Sequence, residues 1–207
     1  MLVRLHLPPM RISPLVVFLA AIPATVTAQV RASARLGATW SSTLAEDEIG
    51  TPITVKTGIA PTLTLAATIP TGKKYRLGLE TILSTSSVEA DDQITTTDLG
   101  SLRTLTLNLT GGGPAMVRGV FWQAGVGFIK YLPGDKEGLF RQGGPGRIIG
   151  SFLVEYRRQL RPGWEWTVGA RYAFHQFITK EMESRGFSRP QAVHRVGLEV
   201  GVARYFQ

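Results

Sequence analysis

Eight stretches of alternating apolar and polar residues follow one another from Val30 to the end of the 207-residue chain, and no other feature constrains its fold as strongly. A period of two sends successive side chains to opposite faces of a β-strand. In every stretch one face is apolar, with a ring on that face in six of the eight, and the other carries glycine, threonine and single charges. Eight such strands in succession pair most simply as antiparallel neighbours. The two exposed edges of that sheet disappear if it closes on itself.

The first stretch runs from Val30 to Trp40, with Ala32, Ala34, Leu36 and Ala38 in phase between them. The second is read over residues 54–69, with Val55, Ile59, Leu63, Leu65, Ala67 and Ile69 on one face and Lys56, Thr62, Thr64 and Thr68 on the other. In the third, residues 75–84, Tyr75, Leu77, Leu79 and Leu83 alternate with Arg76, Gly78 and Glu80, and Ile82 interrupts the polar face. In the fourth, residues 97–110, Leu105, Leu107 and Leu109 oppose Thr104, Thr106 and Asn108. Continued backwards, that phase would put Arg103 on the apolar face, so a bulge near Arg103 and Thr104 is expected to turn Leu102 outward and Arg103 inward. The last four stretches are marked by Trp122 and Phe128, by Phe152 and Tyr156, by Trp164, Trp166 and Tyr172, and by Leu198 and Phe206.

The connections alternate in length. Those near residues 42–53, 85–96, 133–146 and 180–191 are long and polar, whereas Pro70-Thr71-Gly72-Lys73, Gly111-Gly112-Gly113-Pro114 and Arg161-Pro162-Gly163 read as tight turns.

Before Val30 the chain has Arg4 and Arg11, an apolar run over residues 15–22, and Val26 and Ala28 in the small-residue pattern that precedes a cleavage site. Residues 1–28 are therefore expected to be a signal peptide. Pro14 and Pro23 bound a run well short of the roughly 20 residues that a spanning helix needs. Residues 29–207 then form one domain. Two of the 23 Lys and Arg lie in the leader, leaving 21 against 15 Asp and Glu, a net charge of +6. The basic residues are dispersed along strands rather than clustered, which disfavours nucleic acid and suits anionic lipid head groups. With no cysteine, neither a disulfide framework nor a lipid-anchored cysteine is available.

Alternation alone leaves open whether the apolar face looks into a core, as in a soluble periplasmic barrel carrying a small hydrophobic molecule, or out into lipid. Volume favours lipid, because an eight-stranded barrel has room inside only for modest side chains. The apolar face carries Trp40, Trp122, Trp164, Trp166, Tyr156, Tyr172, Phe128, Phe152, Phe174 and Phe206. Tyr75, Trp122, Tyr156, Trp164, Trp166 and Phe206 come near the short-turn ends of their strands, as an aromatic girdle at a membrane interface would. The sequence thus predicts an all-β fold, a closed eight-stranded antiparallel up-and-down transmembrane β-barrel, with short turns on the periplasmic side.

Leader, eight strands, girdle and terminal strand together resemble the small bacterial outer-membrane barrels of the OmpA and OmpX type. The resemblance covers nearly all of residues 29–207 as a pattern and rests on no invariant motif. It implies a place in the outer membrane of a Gram-negative cell, with outer-membrane lipids and lipopolysaccharide as partners. It also implies insertion by the barrel-insertion machinery, which in that family reads a terminal aromatic residue; here Phe206 is followed by Gln207.

On the polar face, Arg31, Arg35, Lys56, Arg76, Arg157, Arg171 and Arg195 with Glu80, Glu155, Glu165 and Glu199 are expected to form an interior charge network, since buried charges are tolerated only when paired. His175 lies on a late strand, as the histidine of lipid A deacylases does, but Gln176 and Phe177 follow it and no serine nucleophile stands beside it. An interior hydrogen-bonding role is expected instead. Glu46, Asp47 and Glu48, and Glu89, Asp91 and Asp92, match no calcium-loop spacing. Three histidines without cysteine give no zinc pattern. No cofactor, metal or catalytic group is nominated. The functions that fit are structural, adhesive or narrow-pore, with a carrier or conduit for small hydrophobic molecules as the alternative.

Overall fold

The computed structural model describes residues 29–47, 53–91, 94–134, 140–184 and 190–206. The proposed signal peptide, residues 1–28, lies outside the described residues, as do Glu48, Asp92 and Gln207. In chain order the strands are β1 (Val30–Ser41), β2 (Ala45–Asp47), β3 (Ile53–Thr57), β4 (Ala60–Thr71), β5 (Tyr75–Asp91), β6 (Thr96–Pro114), β7 (Val120–Pro133), β8 (Gly146–Arg161), β9 (Trp164–Phe177) and β10 (Gln191–Phe206). One helical turn, α1 (Lys180–Ser184), precedes β10. Strands β1 and β4 to β10 each pair antiparallel with the next, and β1 pairs with β10 from Val30 opposite Phe206 to Ser41 opposite Arg195. The ring is closed, an eight-stranded barrel in which every strand has two partners.

Alternation sets the two faces. Leu36, Leu65, Leu79, Leu107, Val126, Ile148, Val168 and Leu198, one from each barrel strand, stand exposed on the outer wall. Arg35, Thr64, Glu80, Thr106, Gln123, Glu155, Thr167 and Glu199 point inward and are buried. At two short turns Gly72 and Gly163 hold φ of 69° and 76°, a left-handed conformation that a side chain would strain.

Four expectations are corrected. Gly111 to Pro114 do not reverse the chain; they remain in β6, with Gly112 opposite Gln123, and the turn falls at residues 115–119. Their lack of bulk answers crowding within the sheet, since a Cβ on Gly112 would meet the Trp122 backbone. The second stretch is not continuous. Gly58 and Ile59 separate β3 from β4, and the phase changes across them, so that Val55 is buried while Lys56 is exposed.

The polar connection at residues 85–96 is mostly strand, because β5 continues to Asp91 and β6 begins at Thr96. Its outward residues turn polar where the strands leave the apolar belt. Finally, β6 keeps its register through Arg103, opposite Thr85 and Leu132, so Leu102 is the buried residue and Arg103 the exposed one. The irregularity lies instead between Ser87 and Glu89 in β5.

Beyond the belt, β3 pairs with β5 from Thr57 opposite Val88 to Thr54 opposite Asp91, and β2 pairs with β3. The result is a four-stranded extension, β2-β3-β5-β6, on one side of the loop end. Inside that end lies an apolar core of Leu44, Val55, Val88, Leu102, Ile129, Tyr131, Phe140, Ile149, Phe177, Ile178, Met182 and Val193.

Close approach at Gly127 gives a test of the register. A Cβ there would collide with the Leu107 carbonyl and lie 2.7 Å from the Asn108 Cα, whereas one on Gly150 meets nothing within 4 Å. Gly127→Ala should destabilise the barrel by about 1–3 kcal/mol, the cost of overpacking. Gly150→Ala should leave the urea midpoint of refolded protein unchanged.

Candidate functional site in the barrel interior

Five strands send charged side chains to the barrel axis. From β1, Arg31 donates Nη2 to Glu155 Oε1 at 3.1 Å and Nε to Glu165 Oε2 at 3.1 Å. Four residues on, Arg35 donates Nη1 to Glu155 Oε2 at 2.7 Å and Nη2 to Glu80 Oε2 at 2.5 Å, with Nε 3.5 Å from Glu199 Oε2. Arg171 from β9 grips Glu80 with both terminal nitrogens, at 2.8 and 2.7 Å, and reaches Glu199 Oε1 at 2.9 Å. Arg157, next but one to Glu155 on β8, closes on it through Nε at 2.5 Å.

Four arginines and four glutamates are thus joined into one neutral cluster. Arg31, Arg35, Glu80 and Glu155 are almost fully buried. Charges of one sign there would be untenable, while guanidinium forks sharing carboxylates satisfy most donors and acceptors at once. Asn108 adds an amide hydrogen bond to Glu80 Oε1 at 3.3 Å, and the Tyr205 hydroxyl one to Glu165 Oε1 at 3.0 Å.

Three residues expected in the network stand elsewhere. Lys56 is exposed on β3, on the far side of the break at Gly58, and meets none of the interior carboxylates. Arg76 sits at the short-turn mouth, where it donates to the Thr68 hydroxyl and to the carbonyls of Thr68 and Gln29. Arg195 is placed between the ion cluster and the apolar core and donates to the hydroxyls of Ser84 at 3.1 Å and Thr104 at 3.5 Å. It forms no salt bridge among the described residues.

His175 is buried, with Nε2 2.5 Å from the Tyr131 hydroxyl. His194 faces outward instead and pairs through Nδ1 with the Tyr172 hydroxyl at 2.7 Å. Of the loop carboxylates, Glu46 on β2 and Glu89 on β5 are exposed.

Sequence reasoning missed the apolar half of the lumen. Its signal was present in Ile82, Val88, Leu102, Ile129, Ile149 and Val193, apolar residues at inward positions toward the loop end of their strands. Leu102 and Arg103 were the clearest case, and the bulge expected near them, which β6 does not have, hid it.

On the outer wall, the six ring residues singled out from the sequence gather at the short-turn end. Tyr75 and Trp122 meet edge to face with centroids 6.5 Å apart, and Tyr156 and Trp166 do so at 5.7 Å. The guanidiniums of Arg161 and Arg204 lie over the Trp164 ring, and that of Arg204 also over Phe206.

No protein-family model matches the chain, and no curated protein sequence does. Solved structures do match in fold. Neisserial surface protein A is similar with a TM-score of 0.54 at 11% identity, over 86% of this chain and 97% of that one. The outer-membrane protein OprG from Pseudomonas aeruginosa gives 0.54 at 12%, over 87% and 96%. The outer-membrane protein AlkL in lipid bilayers gives 0.58 at 13%, over 89% and 95%. The chain therefore has the fold of the small eight-stranded outer-membrane barrels, and at such identities the likeness concerns the fold alone.

Arg35 touches three of the four carboxylates, so its removal strands the most buried charge. Arg35→Ala should cost about 3–5 kcal/mol in urea or thermal unfolding, with Arg35→Lys recovering only part because the fork is lost. Lys56→Ala should stay within about 0.5 kcal/mol of the parent, as an exposed side chain outside the cluster.

Proposed function

We propose that this chain is an integral outer-membrane protein with a sealed lumen and a structural or adhesive role, exerted through the sheet extension at its loop end. The observation that carries this reading is that the lumen is filled twice over. The neutral arginine and glutamate cluster occupies it toward the short turns, and Phe140, Phe177, Met182 and their neighbours occupy it toward the loops. An eight-stranded barrel has little width to spare, and two such fillings argue against a continuous water path.

Membrane residence is supported by the outer wall. Leu79 and Ile148 are 68% and 73% exposed within a belt that encircles the barrel, and a water-soluble protein does not present so large an apolar surface. The rings and guanidiniums at the short-turn end are suited to head groups, where amphipathic side chains sit best. Export through cleavage after Ala28, insertion by the barrel machinery, and lipids and lipopolysaccharide as surroundings belong to the same reading.

The role is assigned to the extension because β2, β3, β5 and β6 continue the barrel wall past the belt as paired strands rather than as loose loops. That gives a stiff surface raised above the outer leaflet. A conduit for small hydrophobic molecules would need the apolar half of the lumen empty, and the protein's own side chains fill it. A non-enzymatic role is supported by His175, whose Nε2 is committed to Tyr131.

Reconstituted into planar bilayers, the protein should give no steady single-channel conductance. Cell fractionation should place it with outer membranes, and unboiled protein should run faster on a denaturing gel than boiled protein. Recovery in the osmotic-shock supernatant would sink the reading, and a persistent open channel would remove the sealed lumen.

A further inference from the structure

We propose that the short-turn end of the barrel is a binding site for phosphate-bearing anions. A vestibule of about 840 Å³ opens there, and Lys73, Lys74, Arg76, Arg157 and Arg204 all line it. No Asp or Glu among the described residues does. The carboxylates next inward are already committed, Glu155 to Arg31, Arg35 and Arg157, and Glu165 to Arg31 and the Tyr205 hydroxyl. Lys73 and Lys74 sit exposed in the turn after β4 and form no salt bridge among the described residues.

The guanidiniums are held in place before any ligand arrives. Arg157 stacks over the Phe121 ring at 4.1 Å, Arg76 over Tyr205 at 5.6 Å and Arg204 over Phe206 at 4.9 Å. A stacked guanidinium has lost part of its rotamer freedom already and still presents N–H groups at its edge. Less ordering is then required when an anion binds. A phosphate offers several oxygens and more than one negative charge to such a ring of donors. Behind the vestibule the lumen is blocked by the ion cluster, so the site is a dead end rather than a passage.

The charge is also one-sided along the chain. Among the described Asp and Glu, Glu80, Glu155, Glu165 and Glu199 are interior, and the others fall in or beside the long connections at the other end. Arg118, Arg158 and Arg161 add further positive charge around the short turns. A solvated basic face would repel itself, and a bound polyanion relieves that repulsion.

Phosphate could reach this end as the head group of a phospholipid, since Arg204 and Phe206 border the outer wall, or as a soluble phosphate ester from the aqueous side. Two probes separate these sources. Protein in nonionic detergent is titrated with inorganic pyrophosphate by calorimetry. Protein in nanodiscs of phosphatidylcholine, with and without phosphatidylglycerol, is assayed for retained lipid by native mass spectrometry. Saturable pyrophosphate binding identifies a soluble ligand, and selective retention of phosphatidylglycerol identifies a head group.

Whichever probe binds, Lys73→Gln/Lys74→Gln should weaken it roughly tenfold, the loss of a few charge-assisted contacts. These exposed turn positions leave the barrel intact. Adding Arg76→Gln should weaken it further. Lys56→Gln/Lys130→Gln, an equal charge change at the opposite end, should have no effect. Absence of saturable binding and of lipid selectivity, or equal weakening by the distal pair, overturns the proposal.

Discussion

An eight-stranded barrel is too narrow to hold water generously and too wide to be filled by glycine and threonine alone, and the arrangement of this chain follows from how that radius is filled. Over the short-turn half the answer is electrostatic, with four arginines and four glutamates each positioned by the inward phase of its strand. Isolated, any one of those charges would cost several kcal/mol to bury. Joined, they form a neutral block whose geometry depends on the register of β1, β5, β8, β9 and β10 together. A slip of one residue in any of these strands would turn its charge out through the wall, so the cluster fixes the register as much as the register fixes the cluster.

Over the loop half the same radius is filled by apolar side chains, and the change of chemistry along the axis has a clear origin. The outer wall must be apolar only where it meets an apolar surrounding. Past the belt the outward residues turn to Thr85, Ser87, Glu89, Ser101 and Arg103, and the inward positions Val88 and Leu102 become apolar. In that region the barrel is an ordinary water-facing sheet with a dry interior. Phe140 and Met182 from the connections complete it, as loops do for any small core.

Period-two patterning was sufficient to read the strand count, the closed antiparallel architecture and the identity of both faces over the belt, because a single rule governs every strand there. The interior glutamates and arginines of β1, β8, β9 and β10 were legible for the same reason. The sequence misled where the rule inverts. Arg103 looked wrong on an apolar face, and a bulge was inferred; the face had simply ceased to be apolar. Lys56 was assigned inward because the break at Gly58 leaves no mark in a pattern of single residues. Gly111 to Pro114 read as a turn because local composition does not reveal that β6 packs closely against β7 there. Pairwise contacts between distant strands, such as Arg35 with Glu80 and Arg171 with Glu199, follow from register and were beyond what alternation alone specifies.

The seam between β1 and β10 joins the first strand of the barrel to the last, and the residues it brings in carry a kinetic consequence. Arg31 and Arg35 find their partners Glu155, Glu165 and Glu199 more than a hundred residues away. Until β8 and β9 are made, Arg31 has neither of its carboxylates and Arg35 only Glu80, Glu199 comes with the final strand, and a half-formed ring exposes both a naked edge and stranded charge. Such long-range latching slows folding and makes it concerted, since no partial closure recovers much free energy. The seam therefore acts as an all-or-none clasp, and a nascent chain must be shielded from aggregation until its last residues are delivered.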